Sequence, residues 1–437
     1  MKDNIVKPST LPGFMELLPK DQILFNEMVD IIRKNFEKHG FLPIDTPVIE
    51  KTEVLLAKGG GETEKQVYRF QKGDTDMSLR FDLTVPLARY TAEHFNELSF
   101  PFRRYQIGKV YRGEKAQRGR FREFYQCDID TIGNEKLDLL NDAEFPVVIY
   151  HTFKDLGFDE FTIRINNRKI LKGFYESLDI LDSTDILRIV DKIDKIGKDE
   201  VKKELMEIGI SEENSQKILD FTLLTGSTTE ILESLKNLNI ENTNFKEGLE
   251  ELITVTNYIK DFEVPDKNFT LDLKIARGLD YYTGTVYETT LDNYPQIGSV
   301  CSGGRYENLA SYYTTKKLPG VGLSIGLSRL FYQLTQANII SAKRQSLVDI
   351  IVIPMDEYKT EANKLVAKLR NGGIYAIVYT ESGKLSKKFK FADALNIPYS
   401  IVLGEDEVKN SIYTLKNMET GEQESLSIEE IIKKIGG

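Results

Sequence analysis

The sequence predicts an α+β protein in which helices flank an antiparallel sheet, a helical insertion interrupts that sheet, and a separate α/β domain follows. Three observations support this prediction. Strand-like segments follow one another without regular intervening helices in the first part of the chain. All strand signals disappear between residues 166 and 262, and strands alternate with helices after residue 346. The length of 437 residues also exceeds one compact core.

The first part of the chain opens with a helix predicted over Asp21–His39, where apolar residues recur at helical spacing and Gly40 follows as a cap. Leu42–Ile49 is predicted to be an extended segment that Pro43 and Pro47 interrupt. Short strands bounded by polar turns come next. They are predicted at Val67–Phe70, Ser78–Phe81, Tyr105–Tyr111, Phe124–Ile129, Phe161–Ile165, Leu271–Ala276, Gly284–Thr290 and Gly322–Ile325.

The helical insertion contains a capping box at Ser227–Glu230, and a polar linker at Ser341–Ser346 precedes the last domain. There the sequence predicts strands at Leu347–Ile353, Ile374–Tyr379 and Tyr399–Leu403, with helices at Glu361–Asn371 and Lys384–Leu395. This alternation predicts a largely parallel sheet. The predicted domains are therefore 1–165 and 263–340 for the sheet domain, 166–262 for the insertion and 346–437 for the last domain.

Composition excludes several classes of protein. No run of eighteen apolar residues occurs, and the N-terminal segment lacks the apolar stretch of a secretory signal, so we expect a cytoplasmic protein without membrane helices. Cys127 and Cys301 are too few for a disulfide framework or a four-thiolate zinc site. His39, His94 and His151 are far apart in sequence, which argues against a histidine-rich metal site.

A basic segment stands out in a chain whose net charge is −10. Between Phe102 and Glu123 the sequence has eight basic residues, opposed by Glu114 and Glu123, which gives a net charge of +6. Arginine suits phosphate because its planar guanidinium donates two parallel hydrogen bonds. An exposed hairpin with cross-strand ion pairs is the alternative. The basic residues are Arg103, Arg104, Lys109, Arg112, Lys115, Arg118, Arg120 and Arg122.

Three further segments combine small, charged and aromatic residues. Ile275–Gly284 contains an arginine, an aspartate and paired tyrosines; Gly298–Tyr306 is rich in small residues that allow close backbone approach to a ligand. Gly320–Leu330 is a glycine-interrupted strand that leads into a helix with Arg329 in its early turns, an arrangement that suits an anion. The structural alternatives are a turn ion pair, a glycine turn and an ordinary helix start. Neither a Walker loop nor a Rossmann fingerprint matches.

Taken together and in order, these segments resemble class II aminoacyl-tRNA synthetases, and in particular the histidyl-tRNA synthetase family. Arg112-x-Glu114 is similar to motif 2, Gly320–Leu330 to motif 3, and Pro47 fits the proline of motif 1. The segments similar to more specific family signatures are Gly59–Glu64, Arg80–Pro86, Arg277–Tyr282, Ser302–Tyr306, Leu385–Asp393 and Leu403–Asp406, the last two in an anticodon-binding domain.

The resemblance implies a six- or seven-stranded antiparallel sheet flanked by helices, a helical insertion, a C-terminal anticodon-binding domain and a homodimer. It also implies a reaction. L-histidine and ATP, with Mg²⁺, would give histidyl-adenylate and pyrophosphate, and the histidyl group would pass to the 3′ end of tRNA(His).

The resemblance further implies roles for individual residues. Arg112, Arg277 and Arg329 would be catalytic and contact ATP, with Arg112 and Arg277 at the α-phosphate and Arg329 near the γ-phosphate and adenine. Glu114 would reach the adenine amino group, and Phe124 would stack on the ring. No protein metal ligand is implied. The histidine-binding residues would be Asp82, Leu83, Thr84 and Gln126 around the amino group, and Asp130, Tyr281 and Tyr282 around the imidazole.

The implied anticodon-binding domain has a lysine-rich helix that suits contacts with tRNA phosphates. A solvated helix face is the bland alternative for such a charge cluster. The resemblance of the whole domain favours the role in tRNA binding. The lysines are Lys384, Lys387, Lys388 and Lys390.

Two other functions are consistent with parts of the sequence. A paralogue of these synthetases serves as a non-catalytic regulatory subunit of ATP phosphoribosyltransferase, but such paralogues generally lack the anticodon-binding domain and the histidine signatures. A tRNA-binding module without catalysis is the other. The presence of Arg277–Tyr282 and of the C-terminal domain argues against the regulatory subunit, and the set of Arg112, Arg277 and Arg329 argues against the binding module.

Overall fold

A computed structural model describes residues 6–57, 62–115, 119–275 and 282–436. The chain forms two compact units, one made of positions 1–15 and 29–337 and the other of positions 16–28 and 338–437. Within the described ranges, no helix is both long enough and apolar enough to cross a bilayer.

The first unit is organised by its strands. They are β1 (Leu42–Pro43), β2 (Ile49–Lys51), β3 (Arg69–Lys72), β4 (Thr75–Leu79), β5 (Phe102–Tyr111), β6 (Glu123–Ile132), β7 (Phe161–Asn167), β8 (Phe269–Leu271), β9 (Tyr282–Leu291), β10 (Ser299–Tyr306) and β11 (Gly320–Ile325). Among the described residues, eight of them form one sheet in the order β1-β5-β6-β11-β10-β9-β7-β8. The small sheet β2-β4-β3 is antiparallel.

The large sheet confirms the predicted antiparallel fold. The six strands from β5 to β7 in the sheet order pair antiparallel, whereas β1 and β8 pair parallel at the two edges. In the described part of the chain the sheet thus has eight strands, where the resemblance implied six or seven. The extra pairs are short, because β1 and β8 contribute only two and three residues.

Helices accompany the strands of the first unit, and the first of them begins within the positions of the second unit. They are α1 (Pro19–Lys38), α2 (Thr52–Leu55), α3 (Glu62–Gln66), α4 (Thr84–Glu93), α5 (Leu140–Asp155), α6 (Arg168–Glu176), α7 (Thr184–Val190), α8 (Ile193–Ile196), α9 (Lys198–Glu207), α10 (Glu212–Thr222), α11 (Thr228–Asn237), α12 (Thr243–Asp261) and α13 (Leu327–Gln336). The predicted capping box is confirmed, since the Ser227 hydroxyl accepts from the Glu230 amide and the Glu230 carboxylate from the Ser227 amide.

One face of the sheet is covered by helix α5. Its Asp142 is fully buried, and its carboxylate oxygens accept from Nε of Arg305 on β10 at 3.0 and 3.1 Å. The backbone carbonyl of Asp142 accepts from the hydroxyl of Tyr287 on β9 at 2.7 Å. Because side chains alternate along a strand, the neighbours of Arg305 and Tyr287 in sequence point to the opposite face, which is left for a ligand.

Several elements differ from the sequence prediction. The strand predicted at Leu271–Ala276 is wrong between Asp272 and Ile275, because Asp272 turns the chain by accepting from the Lys274 amide through its side chain and from the Ile275 amide through its carbonyl. Helices α4 and α5 were not predicted. Helix α5 is apolar around most of its circumference and contains Pro146, so it has no clear amphipathic period.

The second unit contains β12 (Ile350–Pro354), α14 (Lys359–Asn371), β13 (Ala376–Val378), α15 (Leu385–Ala394), β14 (Tyr399–Leu403), α16 (Glu405–Asn410), β15 (Tyr413–Asn417), β16 (Gln423–Leu426) and α17 (Ile428–Gly436). The described strands have the order β13-β12-β14-β15-β16. The first three are parallel, as predicted. The last two pair antiparallel and were not predicted, since Tyr413–Asn417 and Gln423–Leu426 carry few apolar residues.

Glycines in the centre of the large sheet allow β10 and β11 to pack closely. A Cβ atom on Gly303 would lie 2.2 Å from the Gly322 carbonyl oxygen, which is backbone and cannot move aside. We therefore expect Gly303→Ala to destabilise the first unit by about 1–3 kcal/mol. Gly326→Ala is the control, because a Cβ atom there meets no described atom within 4 Å. Thermal unfolding of both variants measures the difference; equal melting temperatures would contradict this packing.

Candidate active site

A cavity of about 460 Å³ opens on the sheet face opposite α5. Its floor is formed by β6 and β11. On β6, Phe124, Gln126, Asp128 and Asp130 line the cavity, as expected for every second residue of a strand. At about 3.3 Å per residue, Phe124 and Asp130 are roughly 20 Å apart along the strand. The cavity is therefore elongated, with different chemistry at its two ends.

Small residues on β11 leave room above this floor. Gly322 pairs with Asp130, and a Cβ atom on Gly322 would lie 2.0 Å from the Asp130 carboxylate. Ser324 pairs with Asp128, and its hydroxyl accepts from the Gln126 amide at 2.9 Å. The glycine-interrupted strand in the sequence thus has a packing cause, since the carboxylate occupies the space that a side chain would fill.

One end of the cavity is cationic and aromatic. Arg112 donates to the Phe81 carbonyl at 3.0 Å, and its guanidinium lies 5.2 Å from the centroid of the Phe124 ring. Arg329 donates to the Ile297 carbonyl at 2.9 Å. Burial is the main cause that lowers the pKa of Arg329, and the positive charge of nearby Arg120 lowers it further. Three guanidinium groups in a partly dehydrated space can bind a polyanion such as a triphosphate.

The residues of the basic segment fall into two groups. Some line the cavity, as phosphate binding predicts, and others form bonds within the protein, as the alternative predicts. Arg112 and Arg120 line the cavity, in agreement with a role in anion binding. Arg103, Lys109 and Arg122 do not, because they bond to Glu144, to Glu123 and to backbone carbonyls. Arg118 lies outside the described residues.

The other end of the cavity is acidic. Asp82, Asp128 and Asp130 lie around Arg104, which is fully buried and pairs with Asp130 through Nη2 and Oδ2 at 2.5 Å. Burial raises the pKa of Asp128 to about 7 and that of Asp130 to about 6, and it also raises the pKa of Asp82. The Arg104 charge opposes all three shifts. The hydroxyl of Tyr306 donates to Asp130 at 2.9 Å.

Three acceptor atoms at this end lack a hydrogen-bond partner in the part of the chain that the structure describes. They are Oδ2 of Asp82, Oε1 of Gln126 and Oδ1 of Asp128, and all three residues line the cavity. Leaving a buried polar atom unpaired costs about 1–3 kcal/mol, so a ligand that donates hydrogen bonds would bind here favourably. A cationic donor would in addition offset the excess of carboxylates over arginines.

The structure brings together most of the residues that the sequence singled out. Leu83 is buried beneath the cavity, where its carbonyl accepts from Arg104 at 3.3 Å. Arg277 and Tyr281 lie outside the described residues. Those that line the cavity are Asp82, Thr84, Arg112, Glu114, Phe124, Gln126, Asp130, Tyr282 and Arg329.

No site role was predicted from the sequence for Asp128, Ser324 or Tyr306. The alternation of Phe124, Gln126, Asp128 and Asp130 along one strand could have indicated Asp128. Arg104 was grouped with phosphate-binding residues, and its place as an internal counter-charge depends on β5 pairing with β6 in the observed register.

Comparisons with known proteins agree with this arrangement. The family model described as histidyl-tRNA synthetase matches residues 13–330. The chain belongs to the histidyl-tRNA synthetase family. A second model, for the anticodon-binding domain, matches residues 348–436. Because the regulatory paralogues of these synthetases generally lack that domain, the second match argues against the regulatory alternative.

Individual relatives match the chain over its whole length. A protein named histidine–tRNA ligase from Clostridium tetani is 62% identical over 436 residues, covering 100% of this chain and 99% of its own length. Another, from Finegoldia magna, is 51% identical and covers 99% of this chain and 100% of its own length. The crystal structure of histidyl-tRNA synthetase from Nostoc sp. PCC 7120 has a TM-score of 0.92 at 42% identity and covers 99% of both chains.

The buried ion pair gives a stability prediction for this synthetase fold. Arg104→Met removes the counter-charge of Asp130 and should cost about 3–5 kcal/mol at pH 8. The cost should be smaller at pH 5, because Asp130, whose pKa is raised to about 6, is then largely protonated. Urea unfolding at the two pH values measures this.

Arg188→Met is the control for Arg104→Met, because its ion pair with Asp185 is exposed and should contribute below about 1 kcal/mol. Equal costs for the two variants, or an Arg104→Met cost that does not depend on pH, would contradict a charge-based role.

Proposed function

We propose that this cavity carries out both steps of histidine–tRNA ligation. As a histidine–tRNA ligase, the chain activates L-histidine with ATP to histidyl-adenylate and pyrophosphate, and then transfers the histidyl group to the 3′ end of its tRNA. One observation supports the proposal for the site above all. A single cavity has carboxylates and open acceptor atoms at one end and arginines with an aromatic ring at the other.

At the acidic end, we assign Asp82, Thr84 and Gln126 to the α-amino group of histidine. The open acceptor oxygens of Asp82 and Gln126 support this assignment. Leu83 would act through its backbone, since its side chain is buried.

The imidazole would lie against Asp130 and Tyr282, with Tyr281 as a further contact proposed from the resemblance alone. Asp130 and Tyr282 both line the acidic part of the cavity, which supports this placement. Asp130 can accept from a ring N–H, and an amino acid without that donor would leave a buried acceptor unpaired.

At the cationic end, we assign Arg112 to the α-phosphate, Glu114 to the adenine amino group and Phe124 to stacking on adenine. Arg329 would lie near the γ-phosphate and the adenine ring. The placement of all four on one cavity supports these roles. Arg277 is proposed as a further cation at the α-phosphate on the resemblance alone.

The chemistry follows from this polarity. The carboxylate of histidine attacks the α-phosphorus of ATP directly, and pyrophosphate leaves, so positioning and charge stabilisation are the tasks of the protein. Arg112 is held by the Phe81 carbonyl and is therefore already oriented before charge develops on the phosphate oxygens. We propose that ATP enters as its Mg²⁺ complex, in which the ion would offset part of the negative charge of the triphosphate.

The domain roles are proposed in the same way. Residues 1–165 and 263–340 would form the catalytic domain, 166–262 the helical insertion and 346–437 the domain that binds the anticodon of tRNA(His). We also propose a cytoplasmic homodimer. The exposed apolar side chains of Leu42 on the edge strand β1 and of Ile49 on β2 support a protein contact in this part of the first unit.

ATP–pyrophosphate exchange tests the activation step. We expect exchange with histidine and background exchange with the other amino acids. Arg112→Ala should lower the histidine-dependent rate by about 10²–10³, the usual effect of losing one preorganised donor to a developing oxyanion. Arg122→Ala is the control, since it lies in the same basic segment but bonds to backbone carbonyls. Exchange with a different amino acid, or normal exchange in Arg112→Ala, would refute the assignment.

Salt dependence tests tRNA binding by the second unit. Lys384, Lys387 and Lys390 are exposed on and before α15, whereas Lys388 is buried and donates to the Pro354 carbonyl at 3.0 Å. The expectation that Lys388 contacts phosphate is therefore wrong. Replacing the three exposed lysines by alanine should flatten the slope of log affinity against log salt by about 0.7–0.9 for each phosphate that a lysine neutralises. Pyrophosphate exchange should not change.

A triple variant on α14 controls for net charge in that experiment. Lys359, Lys364 and Lys368 are also exposed in the second unit. If their replacement by alanine changes the salt slope as much as the α15 variant does, helix α15 does not bind tRNA specifically.

A further inference from the structure

Asp128 is a buried carboxylate to which the resemblance gives no role. It lies on the floor of the cavity between Gln126 and Asp130, and it is 2% exposed. Its Oδ1 has no hydrogen-bond partner among the described residues. Ser324, which pairs with Asp128 across the strands and lowers its pKa, accepts a hydrogen bond from the Gln126 amide through its hydroxyl. Asp128 therefore lines the cavity beside one proposed histidine-binding residue and has one buried carboxylate oxygen that no described residue satisfies.

The number of open acceptors matches one chemical group. A protonated amine has three N–H donors and no acceptor. The acidic end of the cavity has three buried acceptors that no described residue satisfies, one each on Asp82, Gln126 and Asp128. Asp130 has less capacity left, because its two oxygens already interact with Arg104 and Tyr306. The α-ammonium group of an amino acid has one N–H donor for each of these three unpaired atoms.

Charge points to the same group. Arg104 lowers the pKa of Asp128, but its single charge is shared by three carboxylates and its ion pair is with Asp130. Arg80, the other cation that Asp128 faces, donates to the carbonyls of Lys109 and Thr46. A bound ammonium group would offset part of the negative charge that remains at this end, whereas a neutral group would not.

We propose that Asp128 is a further determinant of histidine binding. Its unpaired carboxylate oxygen accepts a hydrogen bond from the α-ammonium group, beside Asp82 and Gln126. The inference rests on the proposed function. It adds to that function a residue that favours an amino acid whose α-amino group is protonated. It predicts that histidine binds to the ionised form of Asp128.

This coupling makes histidine binding depend on pH. Burial raises the pKa of Asp128 to about 7, so the carboxyl group is protonated in a growing fraction of free enzyme below that pH. The ammonium group then has to displace a proton, and the KM for histidine should rise by up to about tenfold per pH unit below pH 7. The groups that face Asp128 are Arg80, Asp82, Arg104, Asp130, Cys127, Cys301 and Ser324.

The test is Asp128→Asn, assayed by pyrophosphate exchange between pH 6 and 9. At pH 8 we expect the KM for histidine to rise about 10- to 100-fold, as for a lost hydrogen bond to a charged group, with little change in the KM for ATP. The ratio of the two histidine KM values should shrink toward pH 6, because the wild-type carboxylate is then protonated as well. Titration of the substrate's own imidazole affects both proteins equally and cancels in this ratio. A constant ratio, or an unchanged KM, overturns the proposal.

Two inhibitors identify the group that Asp128 contacts. Histidinol keeps the ammonium and imidazole groups, whereas imidazolepropionate lacks the ammonium group. The affinity of histidinol for Asp128→Asn should fall by the same factor as that of histidine, and imidazolepropionate should bind both proteins equally. Equal weakening of both inhibitors would place Asp128 at the imidazole and overturn the proposal.

Further variants distinguish a loss of folding, a failure of the proposed function and a failure of the Asp128 inference. Asp159→Asn makes the same chemical change at an exposed site and should alter neither KM. Asp128→Ser, which also removes the charge, should reproduce the selective effect if Asp128→Asn folds poorly. If the wild-type protein shows no histidine-dependent exchange, the proposed function fails. If it does show exchange and the Asp128 variants have the same KM values as wild type, the present inference fails alone.

Discussion

The buried pair of Arg104 and Asp130 is the interaction on which the rest of the cavity depends. Both residues are almost completely inaccessible, and they face each other across the adjacent strands β5 and β6. Such a pair stabilises little by itself, because dehydration offsets most of the attraction. Its importance lies in what surrounds it. Gly322 must lack a side chain, Tyr306 must donate to the carboxylate, and Leu83 must place its carbonyl against the guanidinium.

The charge of the cavity lining changes from negative to positive along β6, beginning at this pair. Carboxylates whose pKa values are raised by burial lie at one end, and arginines that bond to backbone carbonyls lie at the other. A reaction between an amino acid that carries an α-ammonium group and a polyanionic nucleotide needs this order of charges. The residues proposed to contact ATP and those proposed to contact histidine include members of the same hydrogen-bonded strand, β6. The strand itself would therefore hold the two substrates in line.

Most of the fold and much of the cavity could be predicted from the sequence. Strands β5 and β6 were predicted close to their observed bounds, and the predicted anion-binding residues Arg112 and Arg329 both line the cavity. Strand β10 was not, since Gly303 and Gly304 resemble a turn unless their close approach to neighbouring strands is known. The charge of Arg104 was assigned to phosphate binding, because sequence alone does not show which of two adjacent arginines points inward. Long-range register, which pairs Asp128 with Ser324, is likewise invisible in local patterns.

The placement of Phe124 and Asp130 on one strand has a consequence for inhibition. A compound that occupies only one end of the cavity gains only the local interactions there. A compound that spans from the Phe124 end to the Asp130 end links two binding groups in one molecule. Strand β6 keeps the separation between Phe124 and Asp130 constant. Each half then raises the effective concentration of the other. Linker length would accordingly decide potency more steeply than any single substituent.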